Sequence, residues 1–445
     1  MFKMKKRNLV SENVDFNDDG KIKSVDVLAP KRLNMGVMIV VLIMMAFGLV
    51  MLFSASMPLA STYKQNSTFY VINQGKFLIL GFAMSLIIAF LPIKKFDKLP
   101  FILLAFAMAI GLAVLTKFKG SVINGARRWL IIGGVSFQPS EFIKVALVFS
   151  IAGYRSFIQR RRKKGKLIAP KFISQANFDA FFDITIPGGL VLGCLVIIAL
   201  QPHMSCFLIL CAVCGVCFLC SGISLSSWWR GTIFLIVIAI IAAGLFYLKS
   251  DAADREKLSK NFAHVVTRLN VFKSMQEKDE EDDSEKDPDE AKADADEQYQ
   301  NKQSLIAIGS GGMRGVGFGN SRQKYNYLPE AHNDYVYSII CEELGFVGGA
   351  CVMILFWLFM LAGFLISWQA DSLFTRILTA GYTTLITIQA FLNIGVAINA
   401  IPPTGITLPF FSYGGTANCF FMIAVGMILS VSRSGRKRKT LKLVV

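Results

Sequence analysis

The chain has 445 residues, is 54% hydrophobic and carries only 17% charged residues, with a mean hydropathy of +0.52. That balance excludes a soluble domain of ordinary composition and calls for lipid as solvent. The formal charge of +17 does not point to nucleic acid. Lys and Arg fall in short runs between apolar stretches, not on one clustered surface, and Lys94 with Lys95, the run Arg160 to Lys164 and the tail Arg436 to Lys439 sit where cytoplasmic loops concentrate positive charge.

The first thirty residues are polar and lack the apolar core of a cleavable signal peptide, so the first helix is expected to anchor the chain itself. Apolar runs long enough to cross a hydrocarbon core of roughly 30 Å begin near Gly36, Phe77, Phe101, Phe142, Ile186, Ser205, Gly231, Val336, Ile377 and Ala417. The sequence therefore predicts an all-α, polytopic integral membrane protein of about ten transmembrane helices. Placing both termini in the cytoplasm puts nearly every basic cluster inside: connections 93–99, 154–183, 221–230 and 367–376, and the tail. The expected divisions are a cytoplasmic tail over 1–35, a transmembrane domain over 36–431 and a basic cytoplasmic tail over 432–445.

The connections left outside are 54–75, 116–139, a short turn at 201–204, a large extracellular loop at 249–334 between the seventh and eighth helices, and 399–416. Within the large loop, residues 276–297 form an acidic insertion too poor in apolar residues to fold alone, and read as mobile. The segment INAIPPTGITLPFFSYGG is the reverse, apolar and rich in Pro and Gly. Irregular chain of that kind is tolerated at membrane depth only under protein cover, so it reads as re-entrant. Nine cysteines lie in or beside apolar runs. The spacing CAVCGVCFLC resembles an iron–sulfur run, but thiols three apart drift around a helix and no charge accompanies them, so packing is the better reading. The glycine-rich GSGGMRGVGFGNS lacks the Lys-Ser/Thr ending of a phosphate loop.

Polar and ionisable residues at membrane depth are costly and therefore functional candidates. In NGARRWLIIGGVSFQPSEFIKVALVF, Arg127, Arg128 and Trp129 lie outside, where the two cations run against the positive-inside bias. Glu141 and Lys144 follow in the fourth helix, three apart and able to pair. A second dense stretch carries Arg314, Arg322, Lys324, Glu330, His332, Asp334, Glu342 and Glu343, and its guanidinium and ammonium groups suit a phosphate or diphosphate. Taken alone, His332 reads as a hydrogen-bonding loop residue, not a metal ligand, and no metal-ligand cluster is visible.

The segments FQPSEFIKVALV, QSLIAIGSGGMRGVGFGNSRQKYNYLPEAHNDYVYSIICEELG and INAIPPTGITLPFFSYGGT resemble the signatures of the shape, elongation, division and sporulation family. The likeness runs from the first helix to the last, and GNSRQKYNYLPEAHND is closer to the division and sporulation branch than to the elongation branch. The resemblance implies a peptidoglycan glycosyltransferase that polymerises lipid II at the outer face of the cytoplasmic membrane. It also implies work with a single-pass class B penicillin-binding protein and other divisome proteins. An inverting transfer needs a carboxylate to deprotonate the attacking sugar hydroxyl and positive charge for the leaving diphosphate.

The family's base is an Asp in the large loop, in a pattern like DP-x-G-x-GYQ before QS. Here Asp287 keeps the Asp-Pro pair while Asp294 stands closer to Tyr299, with Asp296 third; the glycines are absent and acidic residues intervene. A further departure is His203 in QPHMSC, where the family usually has Asp after Gln-Pro. The implied substrate-binding set is Arg127, Arg128, Trp129, Glu141, Lys144, Arg322, Lys324, Glu330, His332, Asp334 and Ser412. No cofactor is visible; a Mg or Mn ion assisting the diphosphate stays open. Two other readings share the apolar groove and the cations: a lipid II flippase, and a non-catalytic scaffold for the penicillin-binding protein. A flippase has no need of a particular outer Asp.

Overall fold

The computed structural model describes residues 10–16, 22–30, 33–123, 126–132, 135–199, 204–249, 288–325, 327–403, 405–434 and 436–442. Each of the ten apolar runs becomes helical. The helices are α1 (Met35–Lys64), α2 (Phe69–Phe90), α3 (Leu99–Lys119), α4 (Pro139–Lys163), the pair α5 (Gln175–Ala180) and α6 (Ile186–Ala199) joined by a π-turn at Phe181–Thr185, α7 (Met204–Leu219) and α8 (Leu225–Lys249). After a further helix α9 (Pro288–Gly311) come α10 (Val336–Trp368), α11 (Leu373–Ala397) and α12 (Gly415–Arg433).

Among the described residues, seven spans are long and apolar enough to cross a membrane: α1, α2, Leu99–Thr116 of α3, Gln175–Ile198, α10, α11 and α12. Two shorter apolar helices stand beside them, Ser205–Leu219 and Leu225–Ile241. The remaining run, α4, carries Glu141 in its first turn and four cations in its last. The chain is a multi-pass, all-α membrane protein. Its lipid-facing sides are apolar, with Ile79 on α2, Leu104 on α3 and Ile240 on α8 all exposed. Helix α11 is buried nearly all round and packs against α4, α7, α10 and α12, as expected of a helix at the centre of a bundle.

The folded chain departs from the sequence reading in four places. Helix α1 runs to Lys64 and ends on Gln65 in a left-handed conformation, so Ser54 lies within a helix, not in a connection. The connection 116–139 forms an antiparallel meander, β3 (Ser121–Ile123), β4 (Ala126–Ile132) and β5 (Val135–Phe137), consistent with the aromatic and β-branched residues of RRWLII. The acidic insertion is helical from Pro288 onward: proline suits the first helical position, Asp289 and Glu290 suit the positive end of the helix dipole, and good helix formers follow. Its first part, 276–287, lies outside the described residues. Finally, the two tails pair with each other. β1 (Val10–Phe16) and β2 (Ile22–Pro30) form a hairpin, and β6 (Arg436–Lys442) adds to β2 in antiparallel register from Ser24↔Lys442 to Pro30↔Arg436.

The described residues of the segment 399–414, 399–403 and 405–414, are irregular, and Leu408, Phe410, Phe411 and Ser412 among them are fully buried. Helix α1 makes room for it with Gly48: a Cβ there would lie 2.2 Å from Phe410 O and 2.9 Å from Phe411 Cα. Ala for Gly inside an exposed helix ordinarily stabilises by about 0.5–1 kcal/mol. Gly48→Ala is expected to do the opposite and cost about 1–3 kcal/mol, because neither backbone atom can yield without strain. Thermal unfolding in detergent reads the sign.

Candidate active site

The glycine-rich segment and the polar loop after it are organised by a break in α10. Gly345 has φ 67° and ψ −165°, which interrupts the helical ladder and frees carbonyls one turn back. The loop fills them: Val316 N–H donates to Glu342 O at 2.9 Å, Gly317 N–H donates to Glu343 O at 3.0 Å, and Phe346 N–H donates in return to Gly312 O at 2.8 Å. Gly315, at φ 78°, has no room for a side chain, since a Cβ would sit 2.1 Å from Glu343 O. The alternation of glycines with charges is thus a backbone clasp on the kink.

The clasp brings Lys324 to Glu343. Its Nζ lies 2.8 Å from Glu343 Oε1, with both side chains buried. It also donates to Ser54 Oγ on α1 at 2.9 Å and to Gly319 O at 2.6 Å, while Ser54 Oγ donates to Glu343 Oε1 at 2.5 Å. An ammonium has three protons to give, and all three are taken. Glu342 holds the same turn through its carboxylate, accepting from the N–H groups of Arg322 at 2.8 Å and Gln323 at 3.4 Å and from Ser321 Oγ. Arg322 itself projects an exposed side chain from this braced turn.

A second buried pair lies on α4. Lys144 Nζ is 2.8 Å from Glu141 Oε1 and donates to Gln389 Oε1 on α11 at 2.6 Å. Gln389 Nε2 in turn donates to Thr407 O at 3.2 Å, tying the pair to the irregular segment. One turn further on α11, Asn393 Nδ2 donates to both Ile406 O and Asp334 O at 2.7 Å. From the other side, Gln74 of α2 donates to Ser412 O at 3.1 Å and accepts from Gly414 N–H at 3.2 Å. Ser412 Oγ accepts from Leu408 N–H at 2.8 Å.

The turn ahead of α10 closes the site. Glu330, at φ 53°, accepts the N–H groups of Asn333 and Asp334 on its carbonyl, and its carboxylate takes the Asn333 amide. His332 packs its ring 4.9 Å from Tyr70 and 6.1 Å from Tyr413; its carbonyl accepts from Tyr413 N–H at 3.0 Å. Burial lowers the His332 pKa against the opposing pull of Glu330, so its ring is neutral at neutral pH. Burial and then the charge of Glu330 push the Asp334 carboxyl up to about 7, into the range where a carboxyl changes state under working conditions.

Of the residues singled out in the sequence, the fold gathers Glu141, Lys144, Lys324, Glu330, His332, Asp334 and Ser412 around 399–414 and the loop clasped on α10. The expected Glu141–Lys144 pair is present. Trp129 is half-buried on β4 opposite Ser121, and the backbone of Arg127 pairs with Val122. The side chains of Arg127, Arg128, Asp294 and Asp296, together with Asp287 and His203, lie outside the described residues. The sequence reading passed over Ser54, Tyr70, Gln74, Gln389, Asn393 and Asn418. The three amides on α2 and α11 and the one on α12 were findable, being polar groups inside long apolar runs. Nothing local marks Ser54.

These features define a multi-pass helical membrane protein whose polar side chains converge on an irregular segment held under protein cover. The family model for FtsW, RodA and SpoVE, described as "Cell cycle protein", matches residues 34–437. The chain belongs to that family. It is 32% identical over 404 residues to Stage V sporulation protein E of Bacillus subtilis (strain 168), covering 89% of this chain and 96% of that protein. It is 31% identical over 409 residues to the probable peptidoglycan glycosyltransferase FtsW of the same strain, covering 90% and 91%. Among solved structures it shares the fold of Thermus thermophilus RodA, with a TM-score of 0.57 at 23% identity over 90% of this chain and 97% of that one. A chain from a peptidoglycan synthase complex that coordinates polymerization and crosslinking gives a TM-score of 0.59 at 22% identity, over 90% and 98%.

Removing one member of a buried pair strands the other charge at a cost of about 3–5 kcal/mol. Lys324→Met is therefore expected to destabilise by that amount, and Lys324→Met with Glu343→Gln to recover most of it; melting curves of the single and double variants decide. For Asp334 the folded pKa lies above the unfolded value, so the folded state binds the extra proton between about pH 4 and 7. Its contribution to stability falls as pH rises through that window and is flat above it. Asp334→Asn should remove this slope from the melting temperature measured against pH.

Proposed function

We propose that the chain is a peptidoglycan glycosyltransferase that polymerises lipid II at the outer face of the cytoplasmic membrane during cell division. The carrying observation is spatial: three signature segments, far apart in sequence, meet at one end of the bundle around 399–414 through Gln389, Asn393 and Gln74. Relatives covering nine-tenths of the chain are named as probable peptidoglycan glycosyltransferases, which supports the reading. The apolar flanks of the bundle suit a polyprenyl tail. The basic runs at the other end support a reading with both termini in the cytoplasm.

In the proposed transfer, a loop carboxylate takes the proton from the attacking sugar hydroxyl. The hydroxyl oxygen bonds to the anomeric carbon of the lipid-linked donor, and the bond from that carbon to the diphosphate oxygen breaks, its electron pair leaving on the diphosphate. Asp287 and Asp294 are the candidate bases. Helix α9 is pinned to the site by Asn301, which accepts from Tyr335 OH at 2.9 Å, and by Ser304, which donates to Ala397 O at 2.7 Å. Asp294 stands two turns before Asn301, about 10 Å along the axis.

Arg322 on its braced turn, with Arg127 and Arg128, supplies charge for the leaving diphosphate. Lys324, with its protons already committed, positions that turn. A Mg or Mn ion assisting the diphosphate is part of the proposal; among the described residues no group of three His, Cys, Asp or Glu side chains stands together. A class B penicillin-binding protein is the proposed partner, in keeping with the synthase complex whose chain shares this fold.

Purified protein with its partner, supplied with labelled lipid II, is expected to give polymer, and Asn together at Asp287, Asp294 and Asp296 to reduce it by about 10²-fold or more, the scale of a lost general base. Full polymerisation by the triple variant would refute the catalytic assignment. Translocation of lipid II without polymer would favour a flippase.

A further inference from the structure

At the end of the bundle opposite Lys324 and Asp334, the connection between α4 and α5 is ordered, not slack. Gly165 turns the chain at φ 65°, and Lys166 N–H donates to Arg161 O at 3.1 Å. Gln175 then holds both sides of the loop: its Oε1 accepts from Ala169 N–H at 2.9 Å, and its Nε2 donates to Leu167 O at 3.4 Å and to Asp179 Oδ1 at 3.0 Å. Ile173 N–H closes a turn on Pro170 O at 3.0 Å.

The shape so fixed presents apolar side chains outward. Ile168 is 73% exposed and Phe172 85% exposed, and exposed Lys164, Lys166 and Lys171 are interleaved with them. The neighbouring carboxylates are committed elsewhere: Asp97 to Arg160 and Ser156, Asp179 to Arg162 and Gln175, Asp183 to Arg155 and Arg162. Among the described residues, no ion pair engages the three lysines. The loop therefore carries an uncompensated positive charge around two exposed apolar tips. The same end of the bundle bears exposed Trp229 near the start of α8 and Trp368 as the last residue of α10, the amphipathic rings that settle at headgroup level.

We propose that residues 164–174 form an interfacial docking loop for anionic phospholipid. Ile168 and Phe172 enter the boundary between headgroups and acyl chains, and Lys164, Lys166 and Lys171 meet the phosphates. Stable docking at an interface takes two signals, apolar insertion and basic charge, and both are present on one short loop held in a single shape. A soluble protein partner would be met by the same tips, but the charge complementarity favours the anionic leaflet from which the loop emerges. This assignment does not depend on the enzymatic reading.

The test uses the full-length chain in nanodiscs, with Phe172→benzoylphenylalanine as a photocrosslinker and adducts identified by mass. Phospholipid adducts are expected, at least threefold more abundant in bilayers containing phosphatidylglycerol than in phosphatidylcholine alone. Adding Lys164→Gln, Lys166→Gln and Lys171→Gln should bring the yield down to the phosphatidylcholine level without changing the melting temperature. The same probe at Ile79, on a lipid-facing side of α2, should show no preference between the bilayers. Equal yields from Phe172 in the two bilayers, or adducts formed only with another protein molecule, would overturn the proposal.

Discussion

The constraint on which this structure rests is that irregular backbone buried away from water must have its N–H and C=O groups met by protein. Residues 399–403 and 405–414 leave helical geometry between two spans, and where they are buried their N–H and C=O groups must be met by protein. Four side-chain amides do much of this. Gln389 and Asn393, a turn apart on α11, donate to the carbonyls of Thr407 and Ile406. Gln74 brackets Ser412 and Gly414, and Asn418 accepts from Phe410 N–H at 2.8 Å while donating to Ser412 O at 3.2 Å. Each is an expensive group in an apolar helix, and each is matched by an otherwise orphaned backbone group. The segment in turn fixes the turn at 330–335 through Asn393 and His332.

Charge in the bundle is divided between bracing and exposure. Lys324 with Glu343, Lys144 with Glu141, and Arg155 with Asp183 are all buried pairs, which brace helices and are costly to break from one side. An ammonium whose protons are all spent on fixed oxygens has nothing left for a ligand, so positive charge alone does not make a residue a phosphate contact. Arg322 shows the other arrangement: the backbone is gripped by Glu342 while the guanidinium projects outward. A stiff support under an exposed cation suits electrostatic catalysis, which depends on groups already oriented before charge develops. Asp334 falls between the two, crowded enough to keep its proton to about pH 7.

Much of the architecture was legible because hydropathy acts over contiguous residues. Ten apolar runs became ten helical segments, the Pro- and Gly-rich apolar stretch became buried irregular chain, and Glu141 paired with Lys144 three residues on, since that spacing places them on one helix face. The misreadings have local causes of a different kind. The acidic insertion was judged on charge and low hydropathy, but Pro288 and the helix formers after it start a helix that tertiary contacts at Asn301 and Ser304 then hold. The tails read only as polar and basic termini; β6 finds its partner in β2, some 400 residues away in sequence.

By itself, then, the sequence determined that the chain is a multi-pass helical membrane protein, where its apolar helices lie, and which segments carry costly polar groups, because these follow from composition and from spacings of a few residues; seven of the expected ten crossings are long and apolar enough among the described residues. It also carried the family motifs that align with FtsW, RodA and SpoVE over 34–437. Only the tertiary structure decided which cations are buried in pairs and which are exposed. Lys324 and Arg322 lie two residues apart in the same loop and look alike in sequence. Their difference is set by Ser54 and Glu343, from helices that meet only when the bundle closes, and burial beside a fixed carboxylate turns one of them into a structural brace.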